Sequence, residues 1–264
     1  MQSFRPLFSG SHLQTIGGQL ARSFLKWPFG TKDSLVSVNN DIQLLLRASW
    51  HPKGNNQPAL ILLHGLEGSD ASPYVVSTGI LAYRHGWHVI RMNMRGCGDS
   101  LQLCPRLYNA GLTADLLAVC DWVSRRTPLF AICGFSLGAG LTLLTLAKEK
   151  HSLPKELLGA VAICPPLDMS LSANALELKQ NWIYSSRFTR SLCSSYRKRQ
   201  KLSPGHYQLD REIGIQTLRE FDNTITAYYS NYQNAENYYQ SVSAGPVLKN
   251  INHPTLVLAS NNDP

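Results

Sequence analysis

The stretch Leu129-Phe130-Ala131-Ile132-Cys133-Gly134-Phe135-Ser136-Leu137-Gly138, continued by Ala139-Gly140-Leu141-Thr142-Leu143-Leu144, decides how the chain is read. An apolar run leads into a glycine, a serine and a second glycine, and a helix-forming run follows at once. A serine on a tight turn between strand and helix presents its hydroxyl to a ligand. Glycines two residues to either side keep the neighbouring backbones from colliding. The helix that follows starts beneath the hydroxyl, where its dipole favours a developing oxyanion. G-x-S-x-G is short, and an incidental serine in a glycine-rich turn is the plain alternative. The flanking strand and helix single out Ser136 as a nucleophile.

Outward from this turn, short apolar runs alternate with helical patterns, the signature of a parallel sheet wrapped by helices. Leu35–Val38 and Ile42–Ala48 flank the turn cluster Asn39-Asn40-Asp41 and predict an antiparallel hairpin. Strands are expected at Ala59–His64, Trp87–Met94, Leu129–Phe135, Gly159–Cys164 and Thr255–Ala259, with helices over 73–85, 112–126 and 137–150. Between Pro166 and Pro254 the alternation stops and polar, aromatic and basic residues dominate. The chain therefore reads as a single domain over 1–264, with a helical insertion at about 167–250 capping the carboxyl edge of the sheet.

Composition agrees with one large core: 264 residues, 44% hydrophobic and 16% charged. No apolar run reaches the roughly 18–20 residues that span a bilayer, and the N-terminus lacks the apolar stretch of a signal peptide. The six cysteines form no C-x-x-C pair and suit a reduced, cytoplasmic protein. A net charge of +8 speaks to non-specific association, not to fold, and nucleic-acid binding is not expected.

A second donor for an oxyanion is expected in the loop after an earlier strand. His64-Gly65-Leu66-Glu67-Gly68 follows Ala59–Leu63, so the N–H groups of Leu66 and Leu137 form the expected oxyanion hole. His64, beside that hole, is expected to orient the loop and not to act as base.

H-G-L-E-G-S (64–69), S-P-Y (72–74), R-G-C (95–97), G-F-S-L-G (134–138), R-E-F-D (219–222) and the terminal N-D-P (262–264) occur in this order. With the opening F-S-G-S-H-L-Q-T (8–15), they resemble the YheT-like group of esterases and acyltransferases in the α/β-hydrolase superfamily. The resemblance spans nearly the whole chain. It implies an α/β-hydrolase fold, a Ser–Asp–His triad, no metal or organic cofactor, and activity on acyl esters. Some relatives act on phospholipids or make ethyl esters.

In that order of residues the acid follows the nucleophile and the histidine comes last. Asp263, after strand Thr255–Ala259, matches the family acid. Asp168 is the runner-up, while Asp115 and Asp99 read as helix-start and turn residues. Of the eight histidines, His151 lies at the far end of its helix, about 20 Å from Ser136 at 1.5 Å per residue. His253 precedes its strand by about 16 Å at 3.3 Å per residue. His85 and His88 sit at the wrong edge of the sheet, and His12, His51 and His206 stay open. None follows Asp263. The base and a last strand and helix are therefore expected beyond Pro264, and the chain as given is expected to be inactive. A silent hydrolase fold used for binding is the rival reading. An Asp-nucleophile enzyme is disfavoured because the turn holds Ser136.

Arg187, Arg190, Arg197, Lys198, Arg199 and Lys201 cluster within the insertion. They are expected to form a solvated helix face, or else a peripheral contact with an anionic membrane surface. The expected partner is a small-molecule acyl ester or lipid.

Overall fold

Leucine-, isoleucine- and valine-rich segments build the sheet, and the polar, glycine-bearing turns between them place the functional loops. The computed structural model describes residues 25–54 and 56–260. The elements run β1 (Lys32–Asn39), β2 (Ile42–Ser49), β3 (Ala59–Leu63), α1 (Pro73–Arg84), β4 (His88–Met92), α2 (Thr113–Ser124), β5 (Phe130–Phe135), α3 (Leu137–Lys148), β6 (Leu157–Ile163), α4 (Met169–Glu177), α5 (Trp182–Leu202), α6 (Leu218–Phe221), α7 (Ala235–Val242) and β7 (Thr255–Leu258). Beyond α6 the chain continues through a π-helical turn, Asp222–Thr226, into Ala227–Tyr229.

The strand order is β1-β2-β4-β3-β5-β6-β7. β1 and β2 form the expected hairpin, where the Asp41 N–H donates to Asn39 Oδ1 at 3.0 Å. β2 meets β4 antiparallel, and the remaining pairings are parallel. The anticipated strands and helices are present, with ends moved by a few residues. This is an α/β-hydrolase sheet, as the motifs imply.

Side-chain alternation explains the layers. Along β3, Ile61 and Leu63 enter the main core with Leu116, Val119 and Val123 of α2, while Leu62 points to the other face with Val75 of α1. All five residues of β4 are buried, the continuous burial expected of a central parallel strand.

The insertion expected at 167–250 divides in two. Leu192, Tyr196, Tyr207, Leu218, Phe221 and Ile225 form a core of their own, the cap. Tyr238, Tyr239 and Val242 of α7 instead join the main core, and Ala244 packs with Ala139 and Leu143 of α3. Among the described residues, no helix is long and apolar enough to cross a membrane.

Candidate active site

β5 runs into Ser136 and α3 leaves it, so the serine stands at the carboxyl edge of the sheet. Its backbone has φ 51° and ψ −119°, a conformation that costs an L-residue about 1–3 kcal/mol. Hydrogen bonds hold it there. The Ser136 N–H donates to Ile163 O at 2.8 Å, and its carbonyl accepts from Ala139 N at 2.9 Å and Gly140 N at 3.0 Å. The glycines are required by space. A Cβ on Gly134 would overlap the Gly138 carbonyl, and one on Gly138 would overlap the His64 carbonyl. Ser136 is exposed, and its hydroxyl has no hydrogen-bond partner among the described residues.

The loop after β3 lies against this turn; a Cβ on Gly65 would stand 3.1 Å from Ser136 Cβ. Nearly every loop amide is taken. Gly65 N–H donates to Tyr74 OH at 3.0 Å, Glu67 N–H to Tyr108 OH at 2.8 Å, and Gly68 N–H to Gly65 O at 3.1 Å. Ser69 N–H donates to Ser72 Oγ and Asp70 N–H to Asn93 Oδ1. Among the described residues, only the Leu66 N–H of this run has no protein acceptor. As the first residue of α3, Leu137 likewise has an N–H with no acceptor inside its helix. Leu66 and Leu137 line the same cavity of about 50 Å³, whose walls include Met169, Leu192, Leu218 and Phe221.

His64 is fully buried, and both ring nitrogens are engaged. Nε2 accepts the Met94 N–H at 3.1 Å, so the proton sits on Nδ1 and donates to Gly65 O at 2.8 Å. Burial holds its pKa below the usual histidine value, and the ring stays neutral. It braces the loop and has no nitrogen left for Ser136. His206 packs edge-on against Tyr207 and tilted against Tyr229 in the cap beside Arg106, and His88 accepts the His51 N–H at the opposite end of the strands. Asp168 is the N-cap of α4, accepting from Leu171 N at 2.9 Å. Asp115 is paired with Arg95, and Asp99 with Arg47. Asp263 and His12 lie outside the described residues. β7 does deliver the chain toward the site, since Leu258 pairs with Ile163, the residue whose carbonyl holds the Ser136 N–H.

Three residues were missed or misread from sequence. Arg199 does not belong to a solvated face or to a membrane-facing charge cluster; it is 1% exposed. Its Nη1 donates to Arg106 O (3.0 Å) and Pro105 O (3.4 Å), and its Nη2 to Arg95 O and Gly96 O (both 3.2 Å). Gly96, at φ 61°, leaves room for that guanidinium, which a Cβ would strike. The helical period carries Arg199 inward while Arg197 and Lys198 point out. Asp222, on the cavity wall, is buried, and desolvation raises its carboxyl to about 6 although Tyr239 OH donates to it at 2.7 Å. Glu67 was noted only as part of its motif. A charged residue between glycines, where the loop needs positive φ, was the available signal.

A family profile of the α/β hydrolase fold matches residues 58–264. The chain is 30% identical over 263 residues to the Escherichia coli (strain K12) protein named "Putative esterase YheT", covering 97% of this chain and 76% of that one. It is 27% identical to human "Phospholipase ABHD3", over 100% of this chain and 68% of the relative. Among solved structures, proline iminopeptidase from Mycobacterium smegmatis matches 88% of this chain and 82% of its own with a TM-score of 0.50 at 18% identity. The chain belongs to the α/β-hydrolase fold family, in its YheT-like group.

Proposed function

We propose that this protein is a serine hydrolase of carboxylic esters. The observation that carries the reading is the juxtaposition at the elbow: a strained, exposed Ser136 next to Leu137 and against the Leu66 loop, the amides of both leucines lacking protein acceptors among the described residues and both leucines lining one largely apolar cavity. In this reading Ser136 Oγ attacks the acyl carbon and passes its proton to the triad histidine that the YheT-like resemblance implies. The carbonyl oxygen becomes an oxyanion bound by the two amides. The C–O bond to the alcohol then breaks, the histidine returns the proton to the leaving alcohol, and an acyl-Ser136 remains. Water releases the acid; a second alcohol in its place gives acyl transfer. Asp263 holds the imidazole and stabilises its charged form.

The names of the E. coli and human relatives support esters of small molecules or lipids as substrates. A lipid source also accounts for the far end of α5. Leu178, Trp182 and Ile183 are each at least half exposed there, with Lys179 and Arg190 in the same stretch of chain. An apolar patch bearing tryptophan and bordered by cations suits the edge of an anionic lipid surface.

The test is covalent labelling of the protein with a fluorophosphonate. Ser136 is expected to be modified, and Ser136→Ala to remain unlabelled and inactive on p-nitrophenyl esters. An unlabelled Ser136 in a folded protein would overturn the enzyme and leave the silent binding fold.

A further inference from the structure

Glu67 adopts φ 54° between Gly65 and Gly68, a left-handed conformation that a glycine would take without penalty. A glutamate there stands against local preference, and its side-chain contacts offset the backbone cost. The carboxylate accepts three hydrogen bonds. Tyr108 OH donates to Oε1 at 3.0 Å, and the Ser191 and Ser195 hydroxyls both donate to Oε2 at 2.7 Å. The two serines are one turn apart on α5, so they present their hydroxyls on one face of that helix. Tyr108 closes the ring by accepting the Glu67 N–H at 2.8 Å. Among the described residues, no cation pairs with Glu67.

Glu67 thus joins the cap to the loop through its side chain, while its backbone fixes the peptide next to Leu66. We propose that Glu67 is a positioning residue through which the seating of α5 aims the Leu66 N–H into the cavity. With α5 seated, three hydroxyl donors hold the carboxylate and the loop keeps its left-handed turn. With α5 lifted, the carboxylate loses two donors and the turn loses what offsets its backbone penalty. The oxyanion hole is then complete only under a closed cap. Arg199, two turns along α5 from Ser191, anchors the same helix to the turn after β4, and among the described residues its hydrogen bonds go to that turn and not to this loop. Loosening of the Glu67 contact is therefore separable from loss of the cap.

The inference rests on Leu66 serving as an oxyanion donor, so the test has one arm that needs no chemistry. Ser191→Ala combined with Ser195→Ala removes only the two α5 hydroxyls. Amide exchange at Leu66–Gly68 is expected to quicken about tenfold, with the 94–106 turn under Arg199 unchanged. For a soluble short-chain ester, kcat is expected to fall about a hundredfold, the loss that accompanies a roughly 1 Å misplacement, with KM little changed. Glu67→Gly separates positioning from stability. It removes the backbone penalty that the α5 hydroxyls offset, so adding Glu67→Gly to the double variant is expected to restore slow loop exchange and most of kcat. Unchanged loop exchange in the double variant, or no recovery of exchange and kcat when Glu67→Gly is added to it, overturns the proposal. If the wild-type protein hydrolyses no ester, the enzyme reading fails and the exchange arm alone decides the coupling.

Discussion

The elbow and the cap meet across one small cavity but are held by different means. Around Ser136 the geometry is set by backbone: strand carbonyls, a helix start, and glycines whose missing side chains are filled by neighbouring carbonyls. The cap is set by side chains, with the Glu67 carboxylate, the Arg199 guanidinium and a cluster of tyrosine hydroxyls each bridging two segments. Each region also buries a group whose proton affinity is shifted, His64 by the elbow and Asp222 on the cavity wall, and the two respond oppositely to pH. Folded His64 resists protonation, so its contribution is present above about 6.5 and lost as pH falls toward its lowered value. Asp222 holds its proton to about 6, against about 3.9 unfolded, so its contribution is present below about 4 and lost as pH rises through 6. A backbone-built site tolerates almost no change, whereas a side-chain-built one is adjustable.

The largest effect that would break this contrast lies at the elbow. Gly138→Val should destabilise the protein by about 3 kcal/mol or more and abolish labelling of Ser136, because the new side chain collides with the His64 carbonyl. A labelled, normally stable variant would show that the elbow is not backbone-limited. In the cap, Asp222→Asn should flatten the stability profile between pH 4 and 6. The difference from wild type at pH 7 should reach about 2–3 kcal/mol, since each tenfold change in proton affinity between the folded and unfolded chain is worth about 1.4 kcal/mol. Denaturant midpoints at closely spaced pH values read this directly, and an unaltered slope would assign the titration elsewhere.

The sheet was legible because burial imposes its own spelling. Ala59–Leu63 and Phe130–Phe135 are apolar throughout because both faces are covered, and the glycines around Ser136 betray a turn with no room. Leu66 and Leu137, proposed as oxyanion donors, are picked out in the sequence by their order along the chain. The cap was not legible, for a physical reason. Its key contacts join residues about 100 apart, such as Arg199 with Gly96 and Ser195 with Glu67, and composition is blind to which arginine of a basic run turns inward. Helical phase held that information. The sheet-facing side of α5, with Leu192, Tyr196 and Arg199, follows a spacing of four and three.

Two smaller effects sharpen the comparison within α5 itself. Arg199→Met removes a buried cation that has no carboxylate partner among the described residues, but strands the carbonyls of Arg95, Gly96 and Arg106. A loss of about 2 kcal/mol is expected, seen as faster amide exchange in the cap with the sheet unaffected. Global loss of protection would mean that the cap and sheet unfold as one unit. At the other end of the helix, Trp182→Ser with Ile183→Ser should leave Tm unchanged and weaken co-sedimentation with vesicles containing anionic phospholipid. Undiminished sedimentation would remove this end of the cap from lipid contact.

The pairing of β6 with β7 sets the order in which such a chain can assemble. Ala160 lies opposite Thr255, so the strands meet only after the intervening segment of about 90 residues has been looped back. Closing a flexible loop of that length costs about 2 kcal/mol more than closing one of ten residues, and long-range pairing of this kind slows folding. α7, docked on the main core, and the cap, tied by Arg199 to the turn after β4, each shorten the effective loop before β7 arrives. Arg199 and Gly96 thereby become candidates for folding-nucleus contacts, and substitutions there should slow refolding more than they speed unfolding.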